Sequence, residues 1–256
     1  MRRNVVTAQL GARGVARVTI DNAAKLNCMT SEVARELVSS MQALGGAPGL
    51  RVVVLTGEGA KAFVGGANLD ELGALDAASA RAFITRLHDC CKAMRDCPVP
   101  VIARVNGWCL GAGLELAAAC DFRIASGNAM FGMPEVRLGI PSVIEAALLP
   151  RLVGAGRARW LVLTGETIDA ATAERWGFLE RVVPAAELDA AVDHAVEAIL
   201  KNSDAATRAQ KRLQRDYEDL PLDEAIRRSI DVFAQSYASG EPQSMMAAFA
   251  AQRRKR

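Results

Sequence analysis

Two short runs rich in β-branched residues, 5–10 and 15–20, flank Gly11 and Gly14 and predict a β-hairpin. Thr30 then offers a side-chain cap to a helix whose apolar positions Val33, Leu37, Val38, Met41 and Leu44 recur at helical spacing. Gly45 and Gly46 end it. Residues 51–56 read differently. Val52, Val53, Val54 and Leu55 are apolar without alternation, which predicts a strand covered on both faces. A helix over 77–95 presents Ala80, Phe83, Ile84, Leu87, Cys91 and Met94 along one side. A strand over 99–105, a helix over 113–120 and a strand over 122–125 follow. From about residue 156 helix dominates, over 171–176, 188–200, 205–217, 222–237 and 243–254, and the last strand signal is Val182 with Val183. Leu222, Ile226, Ile230, Phe233 and Tyr237 make a narrow stripe whose spacing predicts packing against other helices. The pattern predicts an α/β core over residues 1–200 and a helical portion over 201–256.

Composition narrows the function. The 256 residues hold 31 Lys plus Arg against 29 Asp plus Glu, a formal charge of +2, which excludes nucleic-acid binding by bulk charge. Apolar residues make up 51% and charged residues 23%, the balance of a globular chain. A chain of this length buries roughly three quarters of its unfolded surface, enough to fold without metal or disulfide staples. Six cysteines (28, 90, 91, 97, 109, 120) form no CxxC pair, and the two histidines, His88 and His194, lie far apart, so no zinc site is expected. Cysteines in apolar surroundings fit a reducing compartment. Residues 1–10 lack a long apolar run, and Arg104, Asn106 and Glu115 interrupt the apolar stretch 99–120. A soluble, cytoplasmic protein without a membrane partner is expected.

Neither histidine stands near a glycine-rich or carboxylate-bearing segment, so the chemistry is sought elsewhere. Two turns stand out: Gly65-Gly66-Ala67-Asn68, shortly after strand 51–56, and Gly111-Ala112-Gly113, which follows strand 99–105 and opens a helix. Glycine lets another molecule approach the main chain, and a helix start carries free N–H groups that favour negative charge. Two such turns at strand ends are suited to aiming two N–H groups at one developing oxyanion, a donor of that kind being worth about 3–4 kcal/mol of transition-state stabilisation. Taken singly, each set of glycines also fits a plain tight turn. Gly111 and Gly113 lack the third glycine of a dinucleotide fingerprint. Two carboxylates follow: Glu115 in the first helical turn after Gly113, and Glu135 after Pro134 among apolar neighbours. Burial raises a carboxyl's pKa and suits it to proton transfer near neutral pH.

Together these segments resemble the crotonase, or enoyl-CoA hydratase/isomerase, superfamily. The most specific stretch is 98–107, from Pro98-Val99-Pro100 to Asn106-Gly107, leading through Gly111-Ala112-Gly113-Leu114-Glu115-Leu116 to Ala119-Cys120-Asp121. The loop 22–27, the segment 61–72, the block from Leu163-Thr164-Gly165-Glu166 to Val182-Val183-Pro184, and residues 233–254 extend the likeness along nearly the whole chain. The resemblance implies a spiral of ββα units, with residues 201–256 serving in trimerisation or as a lid, and a homotrimer or a hexamer built from two trimers. It implies that the Ala67 and Ala112 N–H groups hold the thioester oxygen of an acyl-CoA, and that Glu115 and Glu135 are the catalytic glutamates that activate water and exchange the α-proton. It also implies that coenzyme A runs along Ala24, Lys25 and Leu26 and along Ala67, Asn68, Leu69, Asp70 and Ala112, with Arg253 and Arg254 meeting its phosphates. A solvated tail is the other reading of those arginines. No cofactor is expected beyond the coenzyme A of the substrate.

Departures from the family bear on specificity. Asn68 stands where many relatives carry Asp, and Ala112 replaces a frequent glycine, to which a backbone donor is indifferent. After Leu138-Gly139-Ile140-Pro141 the usual glycine-rich turn is Ser142-Val143-Ile144-Glu145-Ala146-Ala147 here. Bulk at Val143 and Ile144 is expected to reshape the acyl pocket, and Glu145 reads as a third acid/base group, a pocket-polarity device or an outward surface residue. Hydration of an enoyl-CoA is the expected reaction, with isomerase, decarboxylase or thioester hydrolase as alternatives on the same fold. An RNA-binding role through the basic tail is disfavoured by the near-neutral charge.

Overall fold

A computed structural model describes residues 5–253. By its contacts the chain divides into Met1–Leu200 and Lys201–Arg256. The first unit contains strands β1 (Val6–Leu10), β2 (Val15–Ile20), β3 (Val52–Gly57), β4 (Ala62–Val64), β5 (Val101–Val105), β6 (Trp108–Leu110), β7 (Phe122–Ser126), β8 (Met130–Gly132), β9 (Thr167–Asp169) and β10 (Arg181–Val183). Its helices are α1 (Ser31–Gly45), α2 (Leu69–Gly73), α3 (Ala77–Asp96), α4 (Ala112–Ala118), α5 (Leu149–Val153), α6 (Ala155–Thr164), α7 (Ala170–Trp176) and α8 (Leu188–Leu200).

The larger sheet has the order β1-β2-β3-β5-β7-β10 and is parallel except for the β1–β2 hairpin. Its central strand explains the unbroken apolar run. Val53 and Leu55 face the main core with Val101, Ala103 and Val105, while Val52 and Val54 face Ile102, Ile124 and the buried side of α8. A strand covered on both faces has no polar side to alternate with. Local signals fix the helices: Thr30 Oγ1 accepts from Val33 N at 3.1 Å at the start of α1, and Asp76 and Ser79 cap α3 reciprocally.

The smaller sheet positions the site. Strands β4, β6 and β8 lie side by side and parallel, with β9 antiparallel at the edge. Each long strand β3, β5 and β7 is followed by one of these short strands and then by helix, the spiral of ββα units that the resemblance implied. Parallel neighbours end on the same side. The turns after β4, β6 and β8, which begin at Gly65, Gly111 and Met133, therefore leave the small sheet at one edge. The four strands of this sheet are three residues each, too short to show periodicity, and the sequence did not disclose them. The helix expected over 113–120 runs instead from Ala112 to Ala118, and α5 and α6 were not anticipated.

The second unit holds α9 (Asp204–Asp219), α10 (Leu222–Ser236) and α11 (Glu241–Arg253), the first capped by Ser203. The apolar stripe expected over 222–237 falls on α10 and the residue after it. Leu222, Ile226, Ile230 and Phe233 are exposed, Leu222 by 73%, and Tyr237 just beyond the helix is exposed as well. Periodicity identifies an apolar face but not what covers it. Among the described residues no helix is long and apolar enough to cross a membrane.

Candidate active site

Ala67 and Ala112 line one cavity of about 380 Å³. Met29 pairs with Ala67 as an isolated parallel bridge, in which Met29 N donates to Gly66 O at 2.9 Å and Asn68 N donates to Met29 O at 2.8 Å. That pattern turns the N–H of Ala67 itself away from Met29. Ala112 is the first residue of α4, where helix geometry leaves the amide without a partner in its own helix. Among the described residues neither N–H has an acceptor in the protein. Glycine is required at both approaches. Gly66 has φ +115° and Gly111 φ +49°, and a β-carbon at Gly111 would collide with Glu135 Oε1. Gly111 N in turn donates to Gly132 O at 2.9 Å, which ties the α4 turn to the segment carrying Glu135.

Both glutamates border this cavity. Glu115 is buried on α4 and accepts from the Ala146 amide at 3.2 Å. Burial, reinforced by the charge of Glu135, pushes its pKa up to about 8; the Ala146 amide opposes the rise and Glu145 adds to it. Glu135 is half-buried, and desolvation raises its pKa as well, against its own backbone amide and the Ser142 hydroxyl, which donates to Oε2 at 2.9 Å. One carboxyl of such a pair holds a proton more readily than two isolated ones would. The remaining wall is apolar, with Leu72, Phe83, Ile84, Leu87 and Ile140, and Arg137 is the one cation on it.

The segment 142–147 is where sequence reasoning was least complete. Val143 lines the cavity as expected, whereas Ile144 is half-buried and does not. Glu145 is no surface residue: it is 5% exposed and His88 Nδ1 lies 3.0 and 3.2 Å from its two oxygens. That contact also corrects the reading of the histidines, since the fold brings His88 on α3 against a carboxylate 57 positions away. No local pattern announces such a pairing. Ser142 and Ala146, each bonded to a glutamate, were missed for the same reason.

The residues implied for coenzyme A are placed unevenly. Ala24, Lys25 and Leu26 are exposed on a short 3-10 turn, and Leu26 O accepts from Gly65 N at 2.8 Å, which holds this loop against the first glycine turn. Leu69 lines the cavity and is 61% exposed. Lys25 Nζ pairs with Asp70 at 3.0 Å. Asn68 is buried, where its side chain caps α2 by accepting from Glu71 N and donates to Cys28 Sγ. Arg253 is exposed at the end of α11, and Arg254 lies outside the described residues.

Two amides without an acceptor among the described residues and two carboxyls with raised pKa around an apolar cavity suit acid–base chemistry beside a polarised carbonyl. The sequence profile of the enoyl-CoA hydratase/isomerase family matches residues 11–256. The chain belongs to that family, a part of the crotonase superfamily. It is 34% identical to the crotonyl-CoA hydratase of Syntrophomonas wolfei over 94% of this chain and 93% of that one. It is 33% identical to the short-chain-enoyl-CoA hydratase of Clostridium acetobutylicum, with 98% and 96% covered. The crystal structure of an enoyl-CoA hydratase from Bacillus anthracis superimposes with a TM-score of 0.92 at 29% identity, covering 97% of this chain and 96% of the other.

The buried Glu115 has a stability signature. Because its pKa is raised from 4.5 to about 8 in the folded chain, it contributes to stability fully below 4.5, and the contribution is lost as pH climbs through about 8. Glu115→Gln removes the ionisation and is expected to be more stable than the parent by about 2–4 kcal/mol at pH 8, and equal to it at pH 4, in urea unfolding. A variant no more stable at pH 8 would contradict the burial assigned here.

Proposed function

We propose that this protein is an enoyl-CoA hydratase, adding water across the 2,3 double bond of an acyl-CoA thioester. The observation that carries the reading is the meeting of two protonatable glutamates and two acceptor-free amides on one cavity wall. The thioester oxygen accepts from Ala67 N–H and Ala112 N–H, which draws electron density from the double bond toward that oxygen. Water oxygen then bonds to C3 as the π electrons move into the enolate. The ionised glutamate of the pair takes the proton leaving water, and the protonated one delivers its proton to C2. Water supplies the oxygen at C3, the total proton count of the glutamate pair is unchanged over the step, and no cofactor beyond the coenzyme A of the substrate is called for. The apolar wall at Leu72, Phe83, Ile84 and Val143 selects an apolar acyl group. The coenzyme A moiety follows Ala24–Leu26 and Ala67–Asp70.

Purified protein with crotonyl-CoA is expected to consume the enoyl absorbance and to give a product heavier by one water. Glu115→Gln and Glu135→Gln are each expected to lower the rate by about 100-fold or more. Because the pair must keep one proton, the wild-type rate should fall as pH rises through about 8. Unchanged turnover in both variants, or a product without added water, would contradict the assignment.

We infer further that the chain forms a homotrimer or a dimer of trimers. The exposed apolar stripe on α10 supports self-association, since Leu222, Ile226, Ile230 and Phe233 form a continuous face too apolar for a lone helix surface. Sedimentation equilibrium is expected to give three or six times the chain mass, and a monomer would contradict it.

A further inference from the structure

Glu145 is a buried carboxyl that the proposed hydration does not use. It lies in the 3-10 turn Ile144–Leu148, which packs between α3 and α4, and it is not part of the cavity wall. A carboxylate at 5% exposure needs a partner, and His88 provides one from α3 while its own side chain stays 44% exposed. Burial pushes the pKa of the neighbouring Cys91 thiol up, and the Glu145 carboxylate adds to the rise. The turn enters through Ile144 at φ +40°, a left-handed conformation that a β-branched residue adopts only under constraint from its surroundings. The residue after Glu145 is Ala146, whose amide donates to Glu115 Oε1. Anchor and donor are thus consecutive residues of one strained turn.

We propose that His88 and Glu145 form a positioning pair for Glu115, pinning the Ile144–Leu148 turn so that the Ala146 amide stays on the Glu115 carboxyl. The proposal rests on the hydratase reading, in which Glu115 carries out proton transfer. Neither His88 nor Glu145 reaches the cavity wall, so the pair acts through the turn and not on substrate.

The electrostatics agree with the geometry. The titratable groups that interact with Glu145 are His88 and Cys91 on α3 and Glu115 on α4, with Cys90, whose thiol donates to Ala34 O on α1, a further neighbour; the charge of Glu135 also acts on Glu115. On Glu115 the turn exerts two opposed influences: the Ala146 amide favours the ionised form and the Glu145 carboxylate disfavours it. Glu145→Gln preserves the shape and the contact with His88 but removes that carboxylate. His88→Ala leaves Glu145 without its α3 imidazole, and His88→Asn returns an N–H donor close to the position of Nδ1.

The experiment measures kcat and KM for crotonyl-CoA against pH in the full chain, with thermal melts of each variant. His88→Ala is expected to lower kcat by about ten- to a hundredfold, with KM within about twofold of the parent, and His88→Asn to recover most of the loss. Glu145→Gln is expected to move the alkaline limb of kcat to lower pH, a displacement that a purely structural loss would not produce. The pair would be overturned by an active parent whose variants keep its kcat and pH limb, or whose variants lose activity only in step with their melting temperature and without rescue by Asn. A parent that does not hydrate crotonyl-CoA would instead overturn the hydratase reading on which the pair rests.

Discussion

Two main-chain amides without an acceptor among the described residues, at Ala67 and Ala112, are the constraint on which the site depends. A backbone donor left unpaired near the interior costs free energy, and chains ordinarily avoid it. Here the surrounding structure imposes it. Ala67 has its neighbouring peptide groups spent on Met29, so its own N–H points away. Ala112 sits at the first position of α4, behind a glycine at φ +49° that no other residue adopts comfortably. Both turns leave parallel, adjacent strands of the small sheet, which brings them to one edge without further adjustment. An acyl oxygen that accepts from both amides relieves the cost at the moment when negative charge develops on it.

The same edge places the carboxyls. Glu115 follows Ala112 by less than one helical turn, and Glu135 follows β8, the strand beside β6. Their burial disfavours ionisation, which gives the pair a proton to move near neutral pH and makes the fold less stable as pH rises. The turn over 142–146 then holds both groups, Ser142 on Glu135 and Ala146 on Glu115.

Much of this was legible in the sequence, for identifiable reasons. The unbroken apolar run of β3, the amphipathic spacing of α1 and α3, and the glycines at 65–66 and 111 are local features, and local features can be read from letters. The short strands β4, β6, β8 and β9 have three residues each and leave no period. The His88–Glu145 contact joins positions 57 residues apart, through two elements with no shared pattern. The stripe on α10 was legible as apolar and its cover was not, because spacing describes a face and not its neighbour; within the single chain these residues are exposed. Lys25 with Asp70 and the buried Asn68 show the same boundary: residue type was visible, partner was not.

The most direct test of the amide pair is the Raman difference spectrum of an enoyl-CoA carrying 13C at the thioester carbonyl, bound to the protein. Two N–H donors converging on that oxygen would lower the carbonyl stretching frequency relative to free ligand, since hydrogen bonding weakens the C=O bond. A bound carbonyl with the frequency of the free thioester in water or above it would contradict the account, whatever activity the protein displays.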